Sequence, residues 1–195
     1  IPDYRDEEGA WKRPPPVQFR DFRDHLETRR RYWARSLVGW PWFAQARPNV
    51  CHYALADWEA AGLITQLVTQ NVDRLHQDAG SHQVIDLHGR LDQVICLDCA
   101  LCLDRVDFQR HLAALNPSFA GLTAALAPDG DACVDAVDFS AFRVPTCPQC
   151  GGILKPNVVF FGETVPRARV DHAIAALRAA DALLVVGSSL MVYSG

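Results

Sequence analysis

The stretch "LITQLVTQNVDRLHQDAG" (residues 63–80) holds a short apolar, β-branched run, Leu63 to Thr69, followed at once by Gln70, Asn71, Asp73, Arg74 and His76. Such a run, too short for a helix, reads as a buried strand. In an open α/β sheet the ligand crevice lies beyond the carboxyl ends of the strands, so polar residues placed just after this one would face a site. A local reading competes with that one: Asn71 or Asp73 capping a short helix that runs through His76. Working outward, Val84 to Leu87, Val158 to Phe161 and Ala182 to Val186 read as further strands. Between the last two, residues 167–180 carry a helical pattern with Val170, Ala173, Ile174 and Leu177 inward. Strands alternating with helices predict an α/β fold whose parallel sheet is covered on both faces.

Upstream, residues 1–16 are polar and end in prolines, which suits a surface loop. From Val17 to Leu37, Phe19, Phe22, Leu26, Trp33 and Leu37 recur at helical spacing. Gly39, Pro41 and Pro48 then predict a loop, and Asn49 a cap for a second helix ending near Gly62. Residues 96–152 differ in character: cysteines gather at both ends, with a predicted helix over 105–115 between them. The expected division is therefore one α/β domain from 1–95 and 153–195, interrupted by a small module at 96–152.

Hydrophobic residues make up 49% of the 195 and charged ones 22%, which places the chain among folded globular proteins. A net charge of -4 argues against a broad cationic surface, so no nucleic-acid partner is expected. No apolar run approaches the roughly 18–20 residues needed to cross a bilayer, so no membrane partner is expected either. The chain opens at Ile1 and its only methionine is Met191, so it is expected to be an internal piece, truncated at both ends.

"CLDCALC" (96–102) and "CPQCGG" (147–152) supply two Cys-x-x-Cys pairs. Each pair lets two thiolates converge on one ion, and together they offer zinc the four sulfurs of a closed structural site: Cys96, Cys99, Cys147 and Cys150. Gly151 and Gly152 suit a tight metal-binding turn. The 47 residues between Cys99 and Cys147 exceed ordinary zinc-ribbon spacing, and disulfides or a redox pair stay open on spacing alone. Burial is the default for Cys51 and Cys133, and Cys102 reads as a spare thiol.

In "IDLHGRL" (85–91), His88 follows a strand candidate, where an imidazole titrating near neutrality can act as general base. Gly89 behind it would let a ligand approach the backbone. "LLVVGSS" (183–189) ends another apolar run in Gly187, Ser188 and Ser189, small enough to pack against a nucleotide. No Gly-x-Gly-x-x-Gly occurs.

Six motifs in order, "IPDYR", "TQNVDRLH", "LHG", the paired Cys-x-x-Cys, "KPNVVFFGE" and "VVGSSLMVYSG", resemble the sirtuins, NAD-dependent protein lysine deacylases. "RYWAR", "CLDC" and "APDGD" look most like their class II branch. The resemblance implies a Rossmann-like NAD-binding domain with a zinc module, NAD+ and one structural Zn2+ as cofactors, and an acyl-lysine protein as substrate. It implies His88 as general base toward the nicotinamide ribose, with Asn71 and Gln70 holding the ribose and a water. Asp73 and Ile1 would grip the nicotinamide carboxamide, Asp3, Tyr4 and Arg5 would form the cofactor loop, and Gly187, Ser188 and Ser189 would meet the adenosine. Val159, Phe161, Gly162 and Glu163 would line the peptide groove. Tyr32 and Arg35 resemble a pair that binds acidic acyl groups, which extends the expected chemistry to long or acidic acyl chains or lipoamide. ADP-ribosyl transfer at the same site, or a non-catalytic zinc-ribbon interaction module, are the competing functions. The setting would be cytoplasmic in a bacterium and mitochondrial in a eukaryote.

Overall fold

Helix α1 (Phe19–Asp24) and helix α2 (Leu26–Ala44) meet at His25, whose extended backbone (φ −119°, ψ 122°) interrupts the single helix expected over 17–37. The Arg29 guanidinium donates to the carbonyls of Phe22 and Arg23 at 2.9 and 2.7 Å, satisfying groups that the break leaves without helical partners. The loop expected at Gly39 and Pro41 does not form, because both lie inside α2. Proline deprives the Leu37 carbonyl of its helical donor. The Gln109 side-chain amide supplies a replacement at 2.9 Å, so the helix continues.

The computed structural model describes residues 16–122 and 138–188. They form two units, one of residues 16–46, 93–122, 138–156 and 160–163, the other of 47–92, 157–159 and 164–188. Helices α1 and α2, grouped by sequence with the strands, thus belong with the cysteine module.

In the first unit the core gathers around Trp33, which is fully buried, with Phe22 and Leu37. Phe108 and Leu112 of helix α5 (Arg105–Leu115), Phe119 of helix α6 (Pro117–Ala120), Phe142 and Leu154 complete it. Burying each such side chain contributes about 1.5–3 kcal/mol. The Trp33 indole N–H donates to the Leu154 carbonyl at 3.3 Å. Helix α5 has the bounds expected, capped by the Asp104 carboxylate, which accepts from the amides of Val106 and Asp107. Its first residue, Arg105, is buried beside Trp40, 4.4 Å from the ring centroid, and donates to Ser36 and Gln109.

In the second unit helix α3 (Val50–Ala60) starts at Asn49 in a reciprocal cap with His52, as Asn49 predicts. Strands β1 (Leu67–Thr69) and β2 (Val84–Asp86) pair in parallel, Leu67 opposite Val84. Strand β1 begins four residues later than expected because the amides of Leu63 and Ile64 are taken by the Trp58 carbonyl, closing the end of α3 past Gly62 at φ +74°. Strand β3 (Gly89–Cys96) lies between β4 (Cys102–Asp104) and β5 (Leu154–Val158) in a three-stranded sheet. The strand expected at 158–161 therefore lies earlier.

Helix α7 (Arg167–Ala179) is present, with Val170 and Ala173 half-buried but Ile174 and Leu177 exposed. Residues 182–186 form no strand, and Leu183 to Val186 are exposed; an extended apolar run needs a ladder partner, and no described strand pairs with it.

Candidate functional site

The ends of β1 and β2 build a small polar cluster. The Leu87 amide donates to the Thr69 carbonyl at 2.9 Å, extending the parallel ladder one residue past β2, and the Leu91 amide holds the Val72 carbonyl at 2.9 Å. Between those fixed points the Gln70 carbonyl accepts a hydrogen bond from the His88 imidazole. The Thr69 hydroxyl accepts from the Asn71 amide at 3.1 Å, tightening the bend. His88 is half-buried, and burial holds its pKa below the ordinary value of 6.5 against the opposing bond to Gln70. Its own carbonyl accepts from the Val159 amide at 2.8 Å. The ring is thus neutral at pH 7, with its orientation set by backbone.

Gly89 is needed for a different reason than ligand approach. At φ +85° a Cβ there would overlap the carbonyl oxygen of Asn157, with Val158 Cα 3.0 Å away. The neighbour that requires glycine is strand β5.

Asp73 has a local bond as well: its carboxylate accepts from the Leu75 amide at 3.0 Å, at the start of helix α4 (Leu75–Asp78). Arg74, left-handed at φ +66°, pairs with Asp86 at the end of β2, and Gln77 donates to the same carboxylate at 3.0 Å. This brace, unanticipated from sequence, ties α4 to β2. His76 packs against His52 with ring centroids 4.7 Å apart and the ring planes tilted by 48°. Burial, aided by His52, depresses its pKa, while Asp73 and Asp86 oppose the shift. A cleft of about 350 Å³ along β2 and α7 is lined by Asp86, Arg90, Arg169 and His172 and by none of Gln70, Asn71, Asp73 or His88.

Cys96, Cys99, Cys147 and Cys150 bring their sulfurs within 4.8 Å of one another, with Cys96 to Cys150 at 3.5 Å and Cys99 to Cys147 at 3.6 Å. A tetrahedral zinc with bonds of about 2.3 Å sets its sulfurs about 3.8 Å apart. The two turns are built alike. Ala100 donates to the Cys96 carbonyl (3.1 Å) and Cys96 to that of Leu101 (2.9 Å), as Gly151 does to Cys147 (2.8 Å) and Cys147 to Gly152 (2.9 Å). The fifth residue of each is left-handed, Ala100 at φ +59° and Gly151 at +75°.

Each sulfur accepts from an amide two residues on: Cys96 from Asp98, Cys99 from Leu101, Cys147 from Gln149, Cys150 from Gly152. Amides aimed at all four sulfurs favour thiolates, and four thiolates so close require a cation. The residues present fit a structural zinc ion. Gly152 makes room for Asp98, whose carboxylate accepts from the Ile153 amide at 3.0 Å. Cys102 and Cys51 are exposed and stand outside the cluster.

Of the residues assigned to the peptide, Phe161 is 42% exposed, Gly162 is left-handed at φ +77°, and Glu163 turns its carboxylate to Lys155. The Val159 amide is engaged with His88. Tyr32 is buried, packed edge-on against Phe22 and Trp33, and Arg35 is half-buried, so neither sits on a solvated face. Gly187 (φ +64°) and Ser188 are exposed. Ile1, Asp3, Tyr4, Arg5, Cys133 and Ser189 lie outside the described residues.

The profile of the Sir2 family matches residues 1–194. An NAD-dependent protein deacetylase of Xanthomonas axonopodis pv. citri (strain 306) is 65% identical over all 195 residues, which cover 67% of its length. A sirtuin structure concerned with substrate affinity superposes with a TM-score of 0.69 at 32% identity, over 90% of this chain and 62% of its own. A Sir2 complex with a peptide and NAD+ gives 0.64 at 31%, over 94% and 66%. The chain thus spans about two thirds of the curated relative and less of the structures.

Proposed function

We propose, since this chain belongs to the Sir2 family, that the protein containing it is an NAD-dependent protein deacetylase. It binds NAD and an acyl-lysine protein, transfers the acyl group to ADP-ribose and releases nicotinamide. The observation that carries this reading is the neutral, half-buried His88 hydrogen-bonded to the Gln70 carbonyl at the end of a parallel strand pair. In a neutral imidazole that donates one N–H, the second nitrogen carries the lone pair that can take a hydroxyl proton. NAD, when bound, supplies the electrophilic ribose carbon and the nicotinamide leaving group.

His88 would draw the proton from a ribose hydroxyl, while Gln70 and Asn71, on the bend braced by Thr69, would hold the ribose and a water. Asp73, on the same bend, and Ile1 would receive the carboxamide. Asp3, Tyr4 and Arg5 would cover the cofactor, and Gly187, Ser188 and Ser189 would meet the adenosine. Val159, Phe161 and Gly162 would hold the substrate peptide. The relatives' chemistry supports acetyl as the acyl group, with Tyr32 and Arg35 the residues to vary for longer or acidic chains. The zinc ion at Cys96, Cys99, Cys147 and Cys150 is structural, since sulfur fills all four positions. No described helix is long and apolar enough to cross a membrane.

The test measures nicotinamide release and loss of acetyl from an acetyl-lysine peptide by the full-length protein. Wild type should do both in equal amounts, and His88→Ala should lose at least about a hundredfold, as expected for a general base. Full activity in His88→Ala would sink the assignment.

A further inference from the structure

We propose that Lys155 and Glu163 form a clamp, anchored at the buried lysine, that sets the shape of the turn Phe160–Gly162 and thereby the affinity for the acyl-lysine peptide, without either side chain touching the substrate. The inference rests on the deacetylase reading. Lys155 lies on β5 and is 3% exposed, with its ammonium 2.9 Å from the Glu163 carboxylate. The same carboxylate oxygen accepts from the Phe160 amide at 2.8 Å, and the Glu163 amide donates back to the Phe160 carbonyl at 3.0 Å. With Gly162 left-handed, residues 160–163 close a tight turn whose outer corner is Phe161.

The inner corner is equally fixed. The Phe160 ring packs on Phe22 and Tyr32 at 5.1 and 5.2 Å, and the Lys155 ammonium lies 4.8 Å from its centroid. Phe161 is left displayed, its carbonyl accepting from the Phe19 amide at 2.8 Å. Glu163 is half-buried, and an ion pair that buries its ammonium is a poor device for stability alone, since apolar replacements of similar volume are often as stable or more so. Here the carboxylate joins an ammonium on a strand to the first amide of the turn, which is a directional constraint that packing alone does not supply.

The experiment uses the full-length protein with an acetyl-lysine peptide. Lys155→Met and Glu163→Gln are each expected to raise the peptide KM about threefold to tenfold, with kcat and the KM for NAD changed less than about twofold, the pattern of lost ground-state binding. The double variant should be no worse than either single one, because both break one unit. Lys155→Arg should recover part of the loss. If the single variants fail to fold, the volume-matched Lys155→Met/Glu163→Leu pair is read instead, with retained zinc as the check of folding. An unmoved peptide KM, additive losses, or a fall confined to kcat would overturn the clamp. A wild type that releases no nicotinamide with acetyl-lysine peptide would refute the deacetylase reading and the clamp with it.

Discussion

Replacing Ala100 with glycine should stabilise the protein. Ala100 and Gly151 hold the same position in two turns with matching hydrogen bonds, at φ +59° and +75°. A residue with a Cβ costs about 1–2 kcal/mol in this region of backbone space. Glycine removes that cost but frees the unfolded chain, which takes back about 0.4–1 kcal/mol. The balance spans about 0–1.6 kcal/mol in favour of Ala100→Gly and centres near 0.8 kcal/mol, or about 2–3 °C in Tm for a chain of this size.

Gly151→Ala is the control. A Cβ there meets nothing within 4 Å, so its expected loss of similar size reports backbone conformation without a clash. The assay is urea unfolding with free zinc buffered, because metal that binds only the folded state otherwise adds its own stabilisation. Ala100→Gly/Gly151→Ala should return close to wild type. A loss of stability in Ala100→Gly, or a gain in Gly151→Ala, would refute the claim that the turns are equivalent.

Gly89→Ala combines a left-handed backbone with overlap of the Asn157 carbonyl, so a loss above about 3 kcal/mol, or failure to accumulate folded protein, is expected by thermal unfolding. His76 and His88 both have pKa values below 6.5, so below that pH the unfolded chain takes up protons first. Their contribution to stability is complete above pH 6.5 and is lost as pH falls through the depressed values; urea midpoints from pH 8 to 5 should fall, less steeply in His76→Gln. Removing the metal with a chelator should unfold the first unit, and metal analysis should return one zinc per chain, an ion absent after Cys147→Ser.

Much of this architecture is legible from sequence where the signals are local. Helix α5 lies where the sequence predicts it, α3 is announced by Asn49, and the zinc site by two cysteine pairs whose turns need few residues. The misreadings occur where a distant partner decides. Gly39 and Pro41 look like a loop until Gln109 is in place, and Leu63 and Ile64 look like strand until the end of α3 takes their amides. His88 could be singled out from sequence as a candidate base, but its tie to the Gln70 carbonyl could not. The Lys155 and Glu163 pair carries no sequence signal at all: a lysine on a short strand is ordinarily a surface residue, and only the fold closes aromatic rings around it.

The proline in α2 couples two places 68 positions apart in the chain. A peptide of residues 26–44 taken alone would fray at its last turn, since nothing in it can answer the Leu37 carbonyl. That turn becomes worth forming only when α5 arrives, so the end of one helix ripens late, as a product of assembly. Residues 41 and 109 should accordingly drift as a couple: a lineage that loses the glutamine is free to do so once the proline has gone.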